Sequence, residues 1–155
     1  LLLPRHVDAL VDAMRTNPDS DAWNATGPIE NADELDRNSF VKCAIGQRSR
    51  ILFCFRRSPC YSSVEKQQVF VRKILGIIGY RKEFLLDLTK LHPSEIEQAE
   101  SIDQMRIIDN GYELSSVPVS KSLPSVNEPT DADIVREYIQ SDSEQKRLLN
   151  EILFI

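Results

Sequence analysis

Short apolar, β-prone runs alternate along this chain with segments of helical period, and that alternation constrains the fold more than any other feature. Phe40–Ile45 and Ile51–Phe55 are two such runs, with Gly46-Gln47-Arg48-Ser49-Arg50 between them. The spacing predicts a β-hairpin, and a turn centred on Arg48-Ser49 sets Cys43 opposite Cys54. Ile74–Tyr80 is almost continuously apolar, as in a strand covered on both faces. Gly76 and Gly79 within it point to a bulge or a close backbone approach. Tyr112–Val119 reads as another strand and Ala22–Ala25 as a weaker one, followed by a loop and a short helix. Helical period appears first in Val7, Leu10, Val11 and Met14, with Pro4 in the first turn and a stop near Asn17-Pro18. Lys82–Lys90 reads as a short helix with Phe84, Leu85 and Leu88 on one side. Ser94 and Glu97 form a capping-box pattern that opens a helix carrying Ile96, Ala99, Ile102 and Met105 inward and ending at Asn110-Gly111. Pro129 opens a further helix with Ile134, Val135, Tyr138 and Ile139 on one face. Ser141-Asp142 restarts a tail helix with Leu148, Leu149, Ile152 and Leu153. The order favours an α/β layered fold over a bundle or a sandwich, with no repeat at a fixed period.

A chain of 155 residues suits one core. Its net charge of −5 argues against a nucleic-acid binder, while leaving room for a local basic pocket that takes an anionic small molecule. No apolar run is long enough to span a membrane, and Arg5, His6 and Asp8 break up the apolar start, so no signal peptide is read and the cytoplasm is the expected compartment. Cys43, Cys54 and Cys60 show no CxxC spacing and read as reduced thiols of a partly buried hairpin rather than a zinc site. There is no P-loop, GxGxxG, HExxH or GxSxG. His6, on a surface helix, and His92, in a turn before Pro93, read as solvated, and no residue set is spaced for nucleophilic catalysis. No catalytic residue is assigned. The opening Leu1-Leu2-Leu3-Pro4, without Met, reads as the middle of a longer polypeptide.

Longer strings carry more information. GIIGYRKEFLLDLTKLHPSEIEQAESIDQMRIIDNGYEL, from Gly76 to Leu114, resembles a segment of the bacterial CMP-Kdo synthetases that runs G-I-Y-x-Y-R-x-x-F-L and then P-T-P-L-E-x-x-E-x-L-E-Q-L-R-x-L-E-x-G. LLLPRHVDALVDAM resembles the helix after that family's G-D-E-P motif. VKCAIGQRSRILFCFRRSPCY resembles V-K-V-V-x-D-x-x-G-x-A-L-Y-F-S-R-x-x-I-P-Y, and SVNEPTDADI resembles G-V-D-T-P-E-D-L. The pieces keep their order from about Leu1 to about Gln140. The resemblance therefore implies residues 1–140 as the C-terminal portion of a GT-A-like, Rossmann-related nucleotidyltransferase with a mixed sheet, and residues 141–155 as a helical tail. The nucleotide-binding front and the G-D-E-P aspartate would precede Leu1.

The activity so implied joins CMP from CTP to Kdo, for lipopolysaccharide assembly, with magnesium neutralising the phosphates in a typically homodimeric, cytoplasmic enzyme. Arg56 matches the arginine of F-S-R in the sugar-binding region, where a guanidinium fork suits a carboxylate. Gln104 matches the sugar-contacting glutamine of E-Q-L-R, Asp103 the glutamate before it, and Arg106 its arginine. Without the resemblance, Arg56 reads as a surface arginine after a strand, and Asp103 and Gln104 as the polar side of a helix. Three positions depart from the pattern. Ile74 stands where the family has a sugar-contacting histidine and Ile78 where it has tyrosine. Asn127 stands in place of a magnesium-binding aspartate, with Glu128 and Asp131 as nearby substitutes. Two readings follow from the resemblance: part of an active cytidylyltransferase, or a non-catalytic homologue that keeps its packing and dimerisation surfaces. A third, without it, is an α/β interaction domain. A truncated sheet of this kind should expose an unpaired edge that a second copy or a partner covers.

Overall fold

The computed structural model describes residues 1–153. They fall into two compact units, Arg5–Ser122 and a smaller one of Leu1–Pro4 with the segment from Leu123 onward.

The larger unit is built on a five-stranded mixed sheet in the order β3-β2-β4-β1-β5. Its strands are β1 (Ala22–Gly27), β2 (Lys42–Ile45), β3 (Ile51–Phe55), β4 (Val71–Tyr80) and β5 (Leu114–Pro118). β1 runs parallel to β5 and antiparallel to β4, and β2 runs antiparallel to both β3 and β4. The hairpin forms as its spacing predicts, with Cys43 paired to Cys54. Arg48 and Ser49 supply its reversal at φ 55° and 60°. Arg50, just before β3, bridges to Ser115 of β5, so the two edges of the sheet approach each other at the hairpin end and the sheet curls.

β1 is not the weak strand expected. All six of its residues are buried, and its alternation feeds two cores. Ala22 packs with Cys43, Cys54 and Leu114 under Phe84 of α4 (Lys82–Leu88), Ile102, and Met105 and Ile107 of α6 (Gln104–Asp109). On the opposite face Trp23 and Ala25 pack with Val117 against Leu10 of α1 (Pro4–Thr16). A third cluster joins Ile29, Leu35 of α2 (Asp33–Asp36), Phe55 and Val71. Val64 of α3 (Val64–Phe70), a helix that the sequence pattern did not reveal, packs against it.

Several expectations need correction. In α1 the inward stripe passes through Leu10 and Met14, but Val7 and Val11 are 48% and 38% exposed. His6, expected in solvent, is buried at 4% exposure because it lies one turn before Leu10 on the same stripe. In α4, Phe84 is buried, whereas Leu85 faces solvent at 41% exposure. The helix expected to run unbroken from Ser94 to Asn110 is two helices, α5 (Glu95–Glu100) and α6. The capping box at its start is present in full: Glu97 N–H donates to Ser94 Oγ, and Glu97 Oε2 accepts from Ser94 N–H. The chain then breaks at Ser101, in the left-handed conformation at φ 54° and ψ 50°.

β4 was expected to be covered on both faces. It starts three residues early, at Val71, and Ile74–Tyr80 is only partly buried, with Gly76 exposed. β2 pairs with it only from Val71 to Lys73, and Ile74 N–H reaches Val41 O. Beyond that point no described strand lies along this edge. A register shift between Asn24 and Thr26 of β1, opposite Ile78 and Ile74, supplies the expected bulge. Gly79 is the close approach: a β-carbon there would lie 3.0 Å from Met14 Sδ.

Ion pairing ties the loop after β1 to the sheet. Glu34 accepts from Lys73 Nζ at 2.6 Å and from Glu30 N–H at 2.8 Å, and both side chains of the ion pair are about nine-tenths buried. Lys42, fully buried, donates to the carbonyls of Arg37 and Arg56.

In the smaller unit α7 (Asp131–Ser141) and α8 (Ser143–Leu153) form a helical pair. Asp142 Oδ1 accepts from the N–H groups of Glu144 and Gln145 and caps α8. The amino terminus of Leu1 donates to Pro124 O, and Gln145 Nε2 to Leu2 O. Among the described residues no helix is long and apolar enough to cross a membrane.

Candidate sugar-binding face

The break between α5 and α6 organises the site. A helix end leaves carbonyls without intrahelical partners. Arg56, leaving β3, supplies donors to that end: Nε donates to Glu100 O at 2.9 Å and Nη2 to Ser101 O at 3.0 Å. Nη1 reaches Asn38 O at 2.9 Å in the loop after β1. The guanidinium thus joins three segments far apart in sequence. Three of its five N–H groups are engaged by backbone, and the other two have no partner among the described residues.

The break also aims α6. Asp103 is its exposed N-terminal flank, and Gln104 is its first residue. Gln104 Nε2 donates to Asn24 Oδ1 at 3.1 Å. Asn24 is fully buried on β1, and its own Nδ2 donates to Ala25 O at 2.8 Å, Leu75 O at 2.9 Å and Ile77 O at 3.3 Å. It thereby bonds two carbonyls of β4 beside the shift of register, and one of β1 itself. One register step along β1, Thr26 Oγ1 and Ser116 Oγ share a hydrogen bond at 2.7 Å. Ile78 pairs with Asn24 and Ile74 with Thr26. Asn24, Thr26, Ser116, Gln104 and the two isoleucines therefore share one face of the sheet. Tyr80 ends β4 on the same face, and its hydroxyl pKa is raised by burial first and by the Asp103 carboxylate second.

Arg56 and Gln104 accordingly flank the same turn, at the two ends of Ser101–Asp103. Arg106, the other matched arginine, faces α5, donating to Glu97 Oε1 at 2.5 Å and to Glu97 Oε2 at 2.8 Å. That bidentate pair holds the Glu97 carboxyl below its usual range and locks α6 onto α5. Asn24 and the Thr26–Ser116 pair are absent from the sequence expectations. Neither belongs to a recognisable motif, and a polar residue in a buried strand is visible only once the strand is seen to be central. A separate cleft of about 380 Å³ lies between the end of α1, β5 and the hairpin turn, lined by Asn17, Trp23, Arg48 and Ser115 among others. It includes none of Arg56, Asp103 and Gln104.

Asn127 lies in the smaller unit. Its Nδ2 donates to Ser125 Oγ, and Asp131 Oδ2 accepts from the N–H groups of Asn127 and Glu128. A neutral amide beside a carboxylate engaged by backbone is a poor match to a hard divalent cation, which favours several anionic oxygens. Among the described residues no three His, Cys, Asp or Glu side chains cluster as metal ligands. The residues present do not fit a magnesium site.

No family model matches the chain. It is 29% identical over 144 residues to a 3-deoxy-manno-octulosonate cytidylyltransferase of Chlorobium limicola, covering 90% of this chain and 58% of that protein. The enzyme of the same name from Chlamydia abortus is 28% identical over 137 residues, covering 88% and 53%. The mitochondrial one of Arabidopsis thaliana is 25% identical over 142 residues, covering 90% and 49%. A solved CMP:2-keto-3-deoxy-manno-octonic acid synthetase, complexed with CTP, superposes with a TM-score of 0.79 at 28% identity, over 90% of this chain and 57% of its own. The chain thus spans about half the length of the relatives it matches. In sequence and in fold the chain is similar to one part of these synthetases.

Proposed function

We propose that this chain forms the sugar-acceptor part of a cytidylyltransferase that transfers CMP from CTP to Kdo. The observation that supports this best is the TM-score of 0.79 over 90% of the chain to a synthetase complexed with CTP. In this reading Gln104 and Asp103 meet the sugar, and the two remaining N–H groups of Arg56 face its carboxylate. CTP is bound chiefly by the part of the relatives that this chain does not span. Magnesium is held there too, since Asn127 does not fit it. The chain's own contribution is positioning: transfer to phosphorus depends on holding nucleophile and phosphate in line, and a curled, buried face orients a polyhydroxylated acid well. A homodimer in the cytoplasm, serving lipopolysaccharide assembly, belongs to the same proposal.

A second reading has specific support. Ile74 and Ile78 put two aliphatic side chains on the candidate face, and substrate hydroxyls set against them would lose hydrogen bonds. In that reading the protein is a non-catalytic homologue that keeps the packing and a dimerisation surface. One assay separates the two. Pyrophosphate release by the full-length protein from CTP, Kdo and magnesium supports the enzyme. Absence of turnover above background, together with absence of Kdo binding by calorimetry, supports the homologue.

A further inference from the structure

We infer that Asn24 is a positioning residue that fixes the polarity of Gln104, so that Gln104 presents a hydrogen-bond acceptor and selects a ligand hydroxyl as its donor. The inference rests on the sugar-binding reading of this face and adds a residue that no motif marks.

The reasoning is a chain of donors and acceptors. A carboxamide has one donor end and one acceptor end, and its orientation follows from what surrounds it. The atoms within reach of one end of Asn24 are all carbonyl oxygens, those of Ala25, Leu75 and Ile77. A carbonyl accepts and never donates, so that end of Asn24 is its NH2. The backbone thereby assigns the other end as Oδ1. Gln104 meets Oδ1 and must offer its own donor, Nε2, at 3.1 Å. What remains of this half-buried side chain is Oε1, which takes no hydrogen bond among the described residues, and the second N–H of Nε2. A free glutamine could turn over and offer either end. This one is fixed through Asn24 by the β4 bulge. Turning it would set Oε1 against Oδ1 in a buried place, two acceptors facing each other.

The ligand class follows. A carboxylate or phosphate oxygen could accept from the second Nε2–H but would be repelled by Oε1, whereas a sugar hydroxyl donates to Oε1 and can also accept from that N–H. Gln104 therefore reads a hydroxyl, and the anionic group of the same ligand falls to Arg56.

The test has two arms. In the 15N-labelled chain, the side-chain amide of Gln104 is assigned by its loss in Gln104→Leu, and its solvent exchange is measured. We expect slowed exchange of the Nε2 proton that faces Asn24, and free exchange in Asn24→Leu. Nε2 protons that exchange in the unsubstituted chain as fast as those of an exposed glutamine overturn the proposal. If Asn24→Leu does not fold, the unsubstituted chain still decides. In the second arm, the full-length protein and its Gln104→Leu variant are titrated with Kdo and with deoxyfluoro analogues, each having one hydroxyl replaced by fluorine. Fluorine removes the donor with little change in size. We expect one analogue to bind about fivefold to tenfold more weakly than Kdo to the unsubstituted protein, and without that difference to Gln104→Leu. Equal losses in both proteins for every analogue overturn the donor assignment. If Kdo itself does not bind, the sugar-binding reading fails and the ligand class with it, while amide exchange still judges the Asn24 relay.

Discussion

Arg56 shows how one side chain can hold separate segments of a chain together. Its guanidinium joins the α5 C-terminus, the turn into α6 and the loop at Asn38. Hydrogen bonds to a charged donor contribute about 1.5–3 kcal/mol each, less where water screens them, so Arg56→Ala is expected to lower stability by about 2–4 kcal/mol in urea denaturation. Arg56→Lys should recover less than half of that, because one ammonium cannot reach three divergent carbonyls. Lys42 offers a test of sign. Burial lowers its pKa from 10.5 to about 8, opposed by the nearby Asp36 carboxylate. Between those two values the unfolded chain binds more protons than the folded one, so this group makes stability rise with pH. The cysteines act oppositely. Burial pushes Cys43 from 9.0 up to about 12 and also raises Cys54, so the folded state keeps protons that the unfolded chain releases, and stability falls above pH 9. Denaturation midpoints should rise from about pH 7.5 to about pH 9 and then turn over. Lys42→Met should flatten the rise, and Cys43→Ala should soften the fall.

The element that most shapes the candidate face is the interruption of the expected α5–α6 helix. Its capping box, Ser94 with Glu97, is local and readable from spacing. Its break is not, because Ser101 is an ordinary helix-compatible residue and the donors that satisfy the exposed carbonyls come from Arg56. A left-handed conformation costs a non-glycine residue about 1–2 kcal/mol, part of which glycine gives back as unfolded-chain entropy. Ser101→Gly is therefore expected to raise stability by about 0.5–1 kcal/mol in urea denaturation. If the break were imposed by Ser101 itself rather than by its partners, Ser101→Gly would instead lower stability and displace Gln104. β4 repeats the lesson. Its apolar run is legible as a strand, but its shift of register is not, since that lies opposite Asn24, whose side chain bonds Leu75 O and Ile77 O, 51 and 53 positions along the chain.

At the scale of the molecule the open edge of β4 matters most. From Leu75 to Tyr80 no described strand pairs with it on the side of β2, though it lies in the middle of the sheet order. An unpaired edge is a template for another chain. The chain by itself is expected to self-associate at tens of micromolar in sedimentation equilibrium, on the order of ordinary weak interfaces. Gly76→Lys should reduce that association without loss of stability, because a β-carbon at Gly76 meets nothing within 4 Å and a charge at an edge disfavours pairing. A chain that stays monomeric throughout that range would show that the edge is not adhesive.

The α/β class, the hairpin with its Cys43–Cys54 pair, the first helix and the capping box were all determined by sequence alone, because each rests on interactions within a few residues or on one period of apolar spacing. The family resemblance was legible for the same reason, as strings that keep their order. Tertiary structure alone decided which side of α1 faces inward, where the long helix breaks, and that Asn24 sits between the β4 bulge and Gln104. The last two outcomes depend on donors and acceptors brought together from 44 to 80 residues apart. Local spacing carries no record of such partners. A buried amide has to find them wherever the fold sets them.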